Sequence, residues 1–246
     1  MNTLKGKVAI ITGSSRGIGR GIAEQLSDLG AKVIINYSSS PDEAAETVEA
    51  IIQKGGEAIA VHADLSKVNE IEEMFVKALA KFGRVDILIN NAAVMITNPL
   101  AEVTEVEYDK QFAVNVKGIF FACQQAMKHM ENSGRIVNIS TAGTKLMFPE
   151  MSVYTGTKGA VEQLTRQLAK EFGPKQITIN AVAPGPVFTE HFQEGKTEEE
   201  IEFMKSMNAF GRIGMPEDIA NVIEFLVSDK SQWVTGQTLH VNGGLN

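Results

Sequence analysis

Seven short apolar runs recur along this chain, and their recurrence limits its fold more than any other feature. They fall at Val8–Thr12, Val33–Tyr37, Ala58–His62, Ile87–Asn90, Ile136–Ser140, Thr178–Val182 and Thr238–Val241, with stretches of helical spacing between them. Runs that are apolar on both faces and joined by helices belong to parallel sheets buried between two helical layers. The expectation is an α/β protein: a Rossmann-like, doubly wound, seven-stranded parallel sheet with helices on both faces. At 246 residues the chain is long enough for one large α/β domain or two small ones. It has no linker rich in Pro, Ser or Gly and no solenoid repeat, so a single domain spanning 1–246 is expected.

The first run leads into a candidate nucleotide site. Lys7-Val-Ala-Ile-Ile-Thr12 is followed by Gly13-Ser14-Ser15-Arg16-Gly17-Ile18-Gly19, then by a helical pattern through Ile22, Ala23, Leu26 and Leu29 that ends at Gly30. In a strand–glycine turn–helix unit, backbone amides and the helix N-terminus face a pyrophosphate. The spacing Gly-x-x-x-Gly-x-Gly departs from the common dinucleotide fingerprint Gly-x-Gly-x-x-Gly. Ligands of open α/β sheets lie beyond the C-terminal ends of the strands. At those ends this chain places Gly13, Asn36 and Tyr37, Asp64, Asn90, Ser140, and Pro184 with Gly185.

Tyr154 and Lys158 are four residues apart, so in a helix they share one face about one turn apart. Bringing a tyrosine from its ordinary pKa near 10 toward neutrality takes roughly three units, about 4 kcal/mol. A cation about 4 Å away at an effective dielectric of about 20 supplies that amount. Taken alone, the pair is equally a packed tyrosine beside an unrelated surface lysine.

Taken with Thr12-Gly13 through Gly19, Asp64 in His-Ala-Asp-Leu, Asn90-Asn91-Ala92-Ala93, Asn115, Ser140, Pro184-Gly185 and Gly236-Gln237, the pair makes the chain resemble the short-chain dehydrogenase/reductase family nearly end to end. Ala93 departs from it, standing where the family usually has glycine. The stretches from Ser152 to Gln163 and from Ala183 to Glu190 are most similar to the polyhydroxynaphthalene-reductase-like branch, with 3-oxoacyl-[acyl-carrier-protein] reductase as the second likeness. The resemblance implies that Tyr154 is the acid/base for a carbonyl oxygen and that Lys158 lowers its pKa and holds the nicotinamide ribose. It implies that Ser140 hydrogen-bonds the substrate oxygen, and that Asn115 holds a water linking the lysine to solvent protons. It places Asp64 and Leu65 at the adenine, Asn90 at the central strand, and Val187 and Thr189 at the carboxamide. The expected cofactor set is Gly13, Ser15, Arg16, Gly17, Ile18, Gly19, Asn36, Tyr37, Ser38, Asp64, Leu65, Asn91, Ala92, Tyr154, Lys158, Pro184, Gly185, Val187 and Thr189.

Charge selects the cofactor. An acid at the end of the second strand accepts the ribose hydroxyls of NAD and repels the 2′-phosphate of NADP. Here that place reads Asn36-Tyr37-Ser38-Ser39, with Arg16 on the same side, so NADP(H) is expected. A substrate lid is expected over about 186–214, where Thr197 and Glu200 form a capping-box pattern ahead of Ile201, Phe203, Met204, Met207 and Phe210. Leu146, Met147, Phe148, Phe188, His191 and Phe192, with Ser140 and Tyr154, are the expected substrate contacts.

Other classes are disfavoured. A net charge of −7 gives no basic surface for nucleic acid. No apolar stretch approaches the ~18 residues that span a bilayer, and Met-Asn-Thr-Leu-Lys lacks a signal-peptide core, so a cytoplasmic location is expected. The single Cys123 excludes an intrachain disulfide, and the four histidines show no zinc-ligand spacing, so no catalytic metal is expected. The resemblance also implies a homotetramer, for which Phe120, Cys123, Met127, Val161, Leu164 and Leu168 offer apolar surface. The leading expectation is NADPH-dependent reduction of an apolar or aromatic ketone. A 3-oxoacyl-[acyl-carrier-protein] reductase, with only Arg135 and Lys175 to dock an acidic carrier, is one alternative. An NAD-dependent alcohol or sugar dehydrogenase and a nucleotide-sensing regulator are the others.

Overall fold

The computed structural model describes residues 4–189, 192 and 196–245. Its strands are β1 (Val8–Ile11), β2 (Lys32–Tyr37), β3 (Glu57–His62), β4 (Ile87–Asn90), β5 (Arg135–Ile139), β6 (Thr178–Pro184) and β7 (Thr238–Val241). They form one parallel sheet in the order β3-β2-β1-β4-β5-β6-β7. Helices α1 (Gly17–Asp28), α2 (Pro41–Gln53) and α8 (Pro216–Val227) cover one face. The other is covered by α3 (Val68–Phe82), α5 (Ile119–His129) and α6 (Ser152–Phe172).

Alternation along the strands builds both cores. Ala9 and Ile11 join Ile22 and Leu26 of α1 and Ile223 of α8, while Ile10, one residue out of phase, joins Phe75 of α3 and Ile119 of α5. Every residue of β1, β4, β5 and β6 is buried, as expected where helices cover both faces of a sheet. Cys123 sits in the second core at 1 % exposure, and burial pushes its thiol up to about 12, which makes it a packing residue. Val161 is buried there too, so neither residue offers surface to a second subunit, whereas Phe120 remains 40 % exposed.

Two departures from the sequence pattern position the site. Between α4 (Glu105–Phe112) and α5 lies one wide π-helical turn, Ala113–Gly118. It carries the buried Asn115, whose side chain accepts from Val94 N–H at 2.8 Å and donates to Val94 O at 2.8 Å and to Thr157 Oγ1 at 3.1 Å. The turn ends at Gly118, where a Cβ would lie 2.7 Å from Leu65 O, so the close approach to the loop after β3 requires glycine. The second departure is at β5, which ends at Ile139 and leaves Ser140 as the first residue past the strand.

The segment between β6 and α8 carries α7 (Glu198–Ser206), started by the expected capping box between Thr197 and Glu200. Each residue of α7 is exposed or half-buried. Val187 bridges to Gly214, with Phe188 N–H donating to Gly214 O at 2.7 Å, which ties the two ends of this segment together.

Candidate active site

Strand order reverses between β1 and β4, the position at which open α/β sheets leave a crevice. A cavity of about 350 Å³ opens there. Thirteen expected cofactor residues line it: Gly13, Ser15, Arg16, Ile18, Gly19, Asn36, Tyr37, Ser38, Asp64, Leu65, Asn91, Ala92 and Thr189. Ser39, Ser40, Ala63, Ala93, Val94 and Val114 line it as well, none of which the motif reading places in the set. Ser39 and Ser40 continue the serine run after Tyr37, which is signal enough to find them. Val114 depends on the π-helical turn, for which the sequence carries no such signal.

The glycine turn is held from two sides. Asn91 Nδ2 donates to Thr12 O and Gly13 O, both at 2.9 Å, and Gly13, at φ +60°, lies so close to Ala92 that a Cβ would stand 2.9 Å from its Cα. On the other side Gly13 N–H donates to Asn36 Oδ1 at 3.1 Å, while Asn36 Nδ2 donates to Val61 O at 3.3 Å and Ala63 O at 3.1 Å. Asn36 is 1 % exposed, so its amide is spent on backbone and is not presented to a ribose. The side chain expected to decide the cofactor is therefore not Asn36. Tyr37, the last residue of β2, is half-buried at the cavity with its ring edge-on to His62 at 5.6 Å.

Arg16 also lines the cavity and donates from Nη1 to Glu43 Oε1 of α2 at 3.4 Å. At Asp64, burial works to raise the pKa but is outweighed by hydrogen bonds from Ser66 N–H and Oγ and by the charge of Lys67, which together hold the carboxyl below its ordinary value. Thr189 faces the glycine turn, its Cγ2 3.4 Å from where a Cβ on Gly17 would be. Pro184 pairs with Val241 at the end of β6, and Gly185 N–H donates to Val241 O at 3.1 Å. These residues fit a dinucleotide. The first-turn amides of α1 have no acceptor within the helix and suit a pyrophosphate, and Asp64 supplies an ionised carboxylate at the far end of the cavity.

Beyond the nucleotide cavity, α6 presents Tyr154 and Lys158 to the end of β5. Lys158 is 1 % exposed and its Nζ donates to Ile139 O at 2.7 Å, 5.8 Å from the centroid of the Tyr154 ring. Burial pushes this amine down to about 8. Burial pushes the Tyr154 hydroxyl up to about 12, and the one side chain that opposes the rise is Thr141. Burial opposes the ionisation of both groups, so the acidified tyrosine expected from the spacing does not follow from these residues alone.

The hydroxyl beside Tyr154 also differs from the expected one. Ser140 is 2 % exposed and its Oγ donates to Glu162 Oε1 at 2.6 Å, away from the tyrosine. Thr141, the next residue, supplies the hydroxyl that hydrogen-bonds Tyr154. Asn115 is held by Val94 and Thr157, so its side chain fixes the loop after β4 and the helix that bears Tyr154. The apolar contacts expected for substrate are unequal. Phe192 is 8 % exposed with Phe188 at 5.7 Å, and Leu146 is half-buried, but Met147 is fully exposed. Phe148 is exposed at the same bend, and His191 lies outside the described residues.

Residues 13–246 match a family model described as enoyl-(acyl carrier protein) reductase, adh_short_C2. Elsinochrome reductase 1 of Elsinoe fawcettii is 40% identical over 252 residues, covering 98% of this chain and 94% of its own. A probable tetrahydroxynaphthalene reductase of Zymoseptoria tritici matches with the same identity and coverage. Among solved structures, the angucycline C-6 ketoreductase LanV with bound NADP superposes with a TM-score of 0.93 at 38% identity, covering 99% of this chain and 96% of that one.

Proposed function

The chain belongs to the short-chain dehydrogenase/reductase family, and from that membership we propose that it reduces an apolar or aromatic ketone to a secondary alcohol with NADPH. The observation that carries the reading is the set at the end of β5, where the half-buried Tyr154 has the buried Lys158 Nζ 5.8 Å from its ring centroid and Thr141 as its hydroxyl neighbour. A neutral phenol is the form that donates, which suits ketone reduction. The same phenol, once ionised, is the base of the reverse reaction, so the direction is taken from the relatives named as reductases.

When bound, the reduced nicotinamide supplies the hydride. Tyr154 gives its proton to the carbonyl oxygen. The Thr141 hydroxyl beside it is the fixed donor for the same oxygen as negative charge develops there. Lys158, charged below about pH 8, stands next to the phenolate that remains and favours its formation. The glycine turn and the N-terminus of α1 hold the pyrophosphate. For the 2′-phosphate, Tyr37-Ser38-Ser39-Ser40 offers hydroxyls with no acid among them, followed directly by the N-terminus of α2. The LanV structure with NADP, and relatives named for polycyclic aromatic substrates, support the cofactor and the substrate class.

Two observations weigh against the alternatives. Arg135 is 6 % exposed and donates to Ser133 O and Gly134 O, and Lys175 donates to Met127 O and Met130 O. Neither cation is offered to an acidic carrier protein. An NAD-dependent dehydrogenase would call for an acid at the end of β2, where Tyr37 stands.

The test is NADPH and NADH oxidation against aryl ketones, diketones, quinones and 3-oxoacyl thioesters, with two variants. Tyr154→Phe loses roughly a thousandfold in kcat and keeps NADPH binding, while Thr141→Val loses about a hundredfold. Ketone reduction by Tyr154→Phe within about tenfold of the parent overturns the assignment.

A further inference from the structure

On α6, Tyr154, Lys158 and Glu162 follow one another at intervals of four and so share one face. Each addresses the same short segment of chain. Lys158 Nζ donates to Ile139 O at 2.7 Å, and Tyr154 has Thr141 as its side-chain neighbour. Glu162 Oε1 accepts from Ser140 Oγ at 2.6 Å and from Thr144 Oγ1 at 2.9 Å. One carboxylate oxygen therefore holds the turn at both ends, with Thr141 between the two anchor points. Hydrogen bonds to an ionised acceptor are the stronger kind, and Ser140 is almost wholly shielded from competing water. The turn has some local support of its own: Thr141 Oγ1 accepts from Gly143 N–H at 3.2 Å, and Thr141 O, 3.0 Å from Thr144 Oγ1, shares with Glu162 the one proton that this hydroxyl can donate. Both of these bonds lie within the turn, so neither fixes it relative to α6.

We propose that Glu162 is a positioning residue for the reaction: by clamping Ser140 and Thr144 to α6, it holds the Thr141 hydroxyl against Tyr154. This rests on the reading of Tyr154 as the acid. Glu162 touches neither hydroxyl of that pair. It acts through the turn, and it gives the buried Ser140 a role other than contact with substrate.

The experiment compares Glu162→Ala and Glu162→Gln in the full chain. Glu162→Ala lowers kcat for ketone reduction on the order of 30-fold, as expected when a catalytic group is displaced by a fraction of an ångström to an ångström. NADPH affinity, read without ketone from the fluorescence of the bound nicotinamide, stays within about twofold, because the loss is confined to the chemical step. Glu162→Gln recovers to within about fivefold of the parent, since both hydroxyls end on one oxygen and an amide oxygen accepts both. Should Glu162→Ala fail to fold, Ser140→Ala combined with Thr144→Val removes the two donors and carries the same expectation. A crystal structure of the variant reads the Thr141–Tyr154 pairing independently of turnover, and separation of the two is expected. Parental kcat in Glu162→Ala with Thr141 unmoved overturns the proposal. So does a Gln variant as impaired as the Ala variant, which would make the charge the essential element. A parent that oxidises NADPH with no ketone fails the functional reading instead, and the structural readout still decides the clamp.

Discussion

Replacing Asn36 with aspartate distinguishes a cofactor-selecting residue from a structural one. If residue 36 faced the ribose, the new carboxylate would repel a 2′-phosphate and shift preference toward NADH with little effect on stability. The structure leads to the opposite result. Asn36 Nδ2 donates to Val61 O and Ala63 O, and the side chain is 1 % exposed. Asn36→Asp turns that nitrogen into an oxygen about 3 Å from two carbonyl oxygens, leaving three acceptors and no donor. Losing two buried hydrogen bonds at about 1 kcal/mol each, with at least one stranded acceptor at about 1–3 kcal/mol, destabilises by about 3–5 kcal/mol. For a chain of this size that lowers Tm by about 10 °C.

The pH dependence follows from the same burial. A buried carboxyl resists ionisation, so the folded pKa of the introduced acid is raised above the unfolded value of about 3.9. Between the two values the folded chain binds more protons than the unfolded one, so stability falls as pH rises through that window. The deficit is smallest near pH ~4, where the protonated acid still donates one hydrogen bond, and is complete at neutral pH. Calorimetric melts of parent and variant at both pH values, with kcat/KM for NADPH and NADH, make the measurement. A variant with parental Tm at neutral pH and a switched cofactor preference would refute the reasoning.

The selectivity itself is expected one residue on. Tyr37→Asp shifts the kcat/KM ratio toward NADH by about tenfold or more, about 1.4 kcal/mol, and an unchanged ratio in paired NADPH and NADH assays removes Tyr37 from that role. Lys158, with its amine pushed down to about 8 from 10.5, gives the reduction rate an alkaline limb near pH 8 as the ammonium is lost. Its effect on stability runs the other way: between about 8 and 10.5 the unfolded chain binds the proton that the folded one has shed, so stability rises with pH. Lys158→Met removes that rise in urea melts, and a melt profile unaltered by the substitution would falsify the burial argument.

The seven strands are legible in the sequence because each is a dense apolar run flanked by helical spacing, and their observed bounds differ from the runs by no more than two residues. The two misplaced site assignments both lie at strand ends and are both off by one. The motif puts Ser140 at the substrate oxygen, whereas Thr141 is the residue beside Tyr154. The charge argument puts the Asn36 side chain at the ribose, whereas both residues line the cavity and it is the Asn36 amide that is tied to backbone, leaving the half-buried Tyr37 beside it. Side chains alternate along an extended segment, so a one-residue error reverses the face on which a group lies. A sequence pattern locates the rim well and the orientation at the rim poorly. Burial is also beyond its reach for groups whose type permits either state. Cys123 and Val161 read as well for an interface as for a core, and the spacing of Tyr154 and Lys158 carries no sign of how far water is excluded from both.

The wide turn at Ala113–Gly118 has a consequence for the helix that follows it. It absorbs one more residue than an α-helical turn would, so the sequence pattern of α5 is offset from that of α4 by one position, about 100°, while the two helices keep one phase in space. Excising a single residue from this turn would restore the regular ladder and leave α5 in its present phase, because the wide turn is what absorbs the extra residue. Ala122, Cys123 and Ala126 would stay in the core, and the loss would fall on the turn itself, on Asn115 and its bonds to Val94 and Thr157. The helical positions from Ile119 through His129 would keep their pattern without the extra residue, whereas Asn115 and Gly118 need the wide turn to reach Val94 and Leu65.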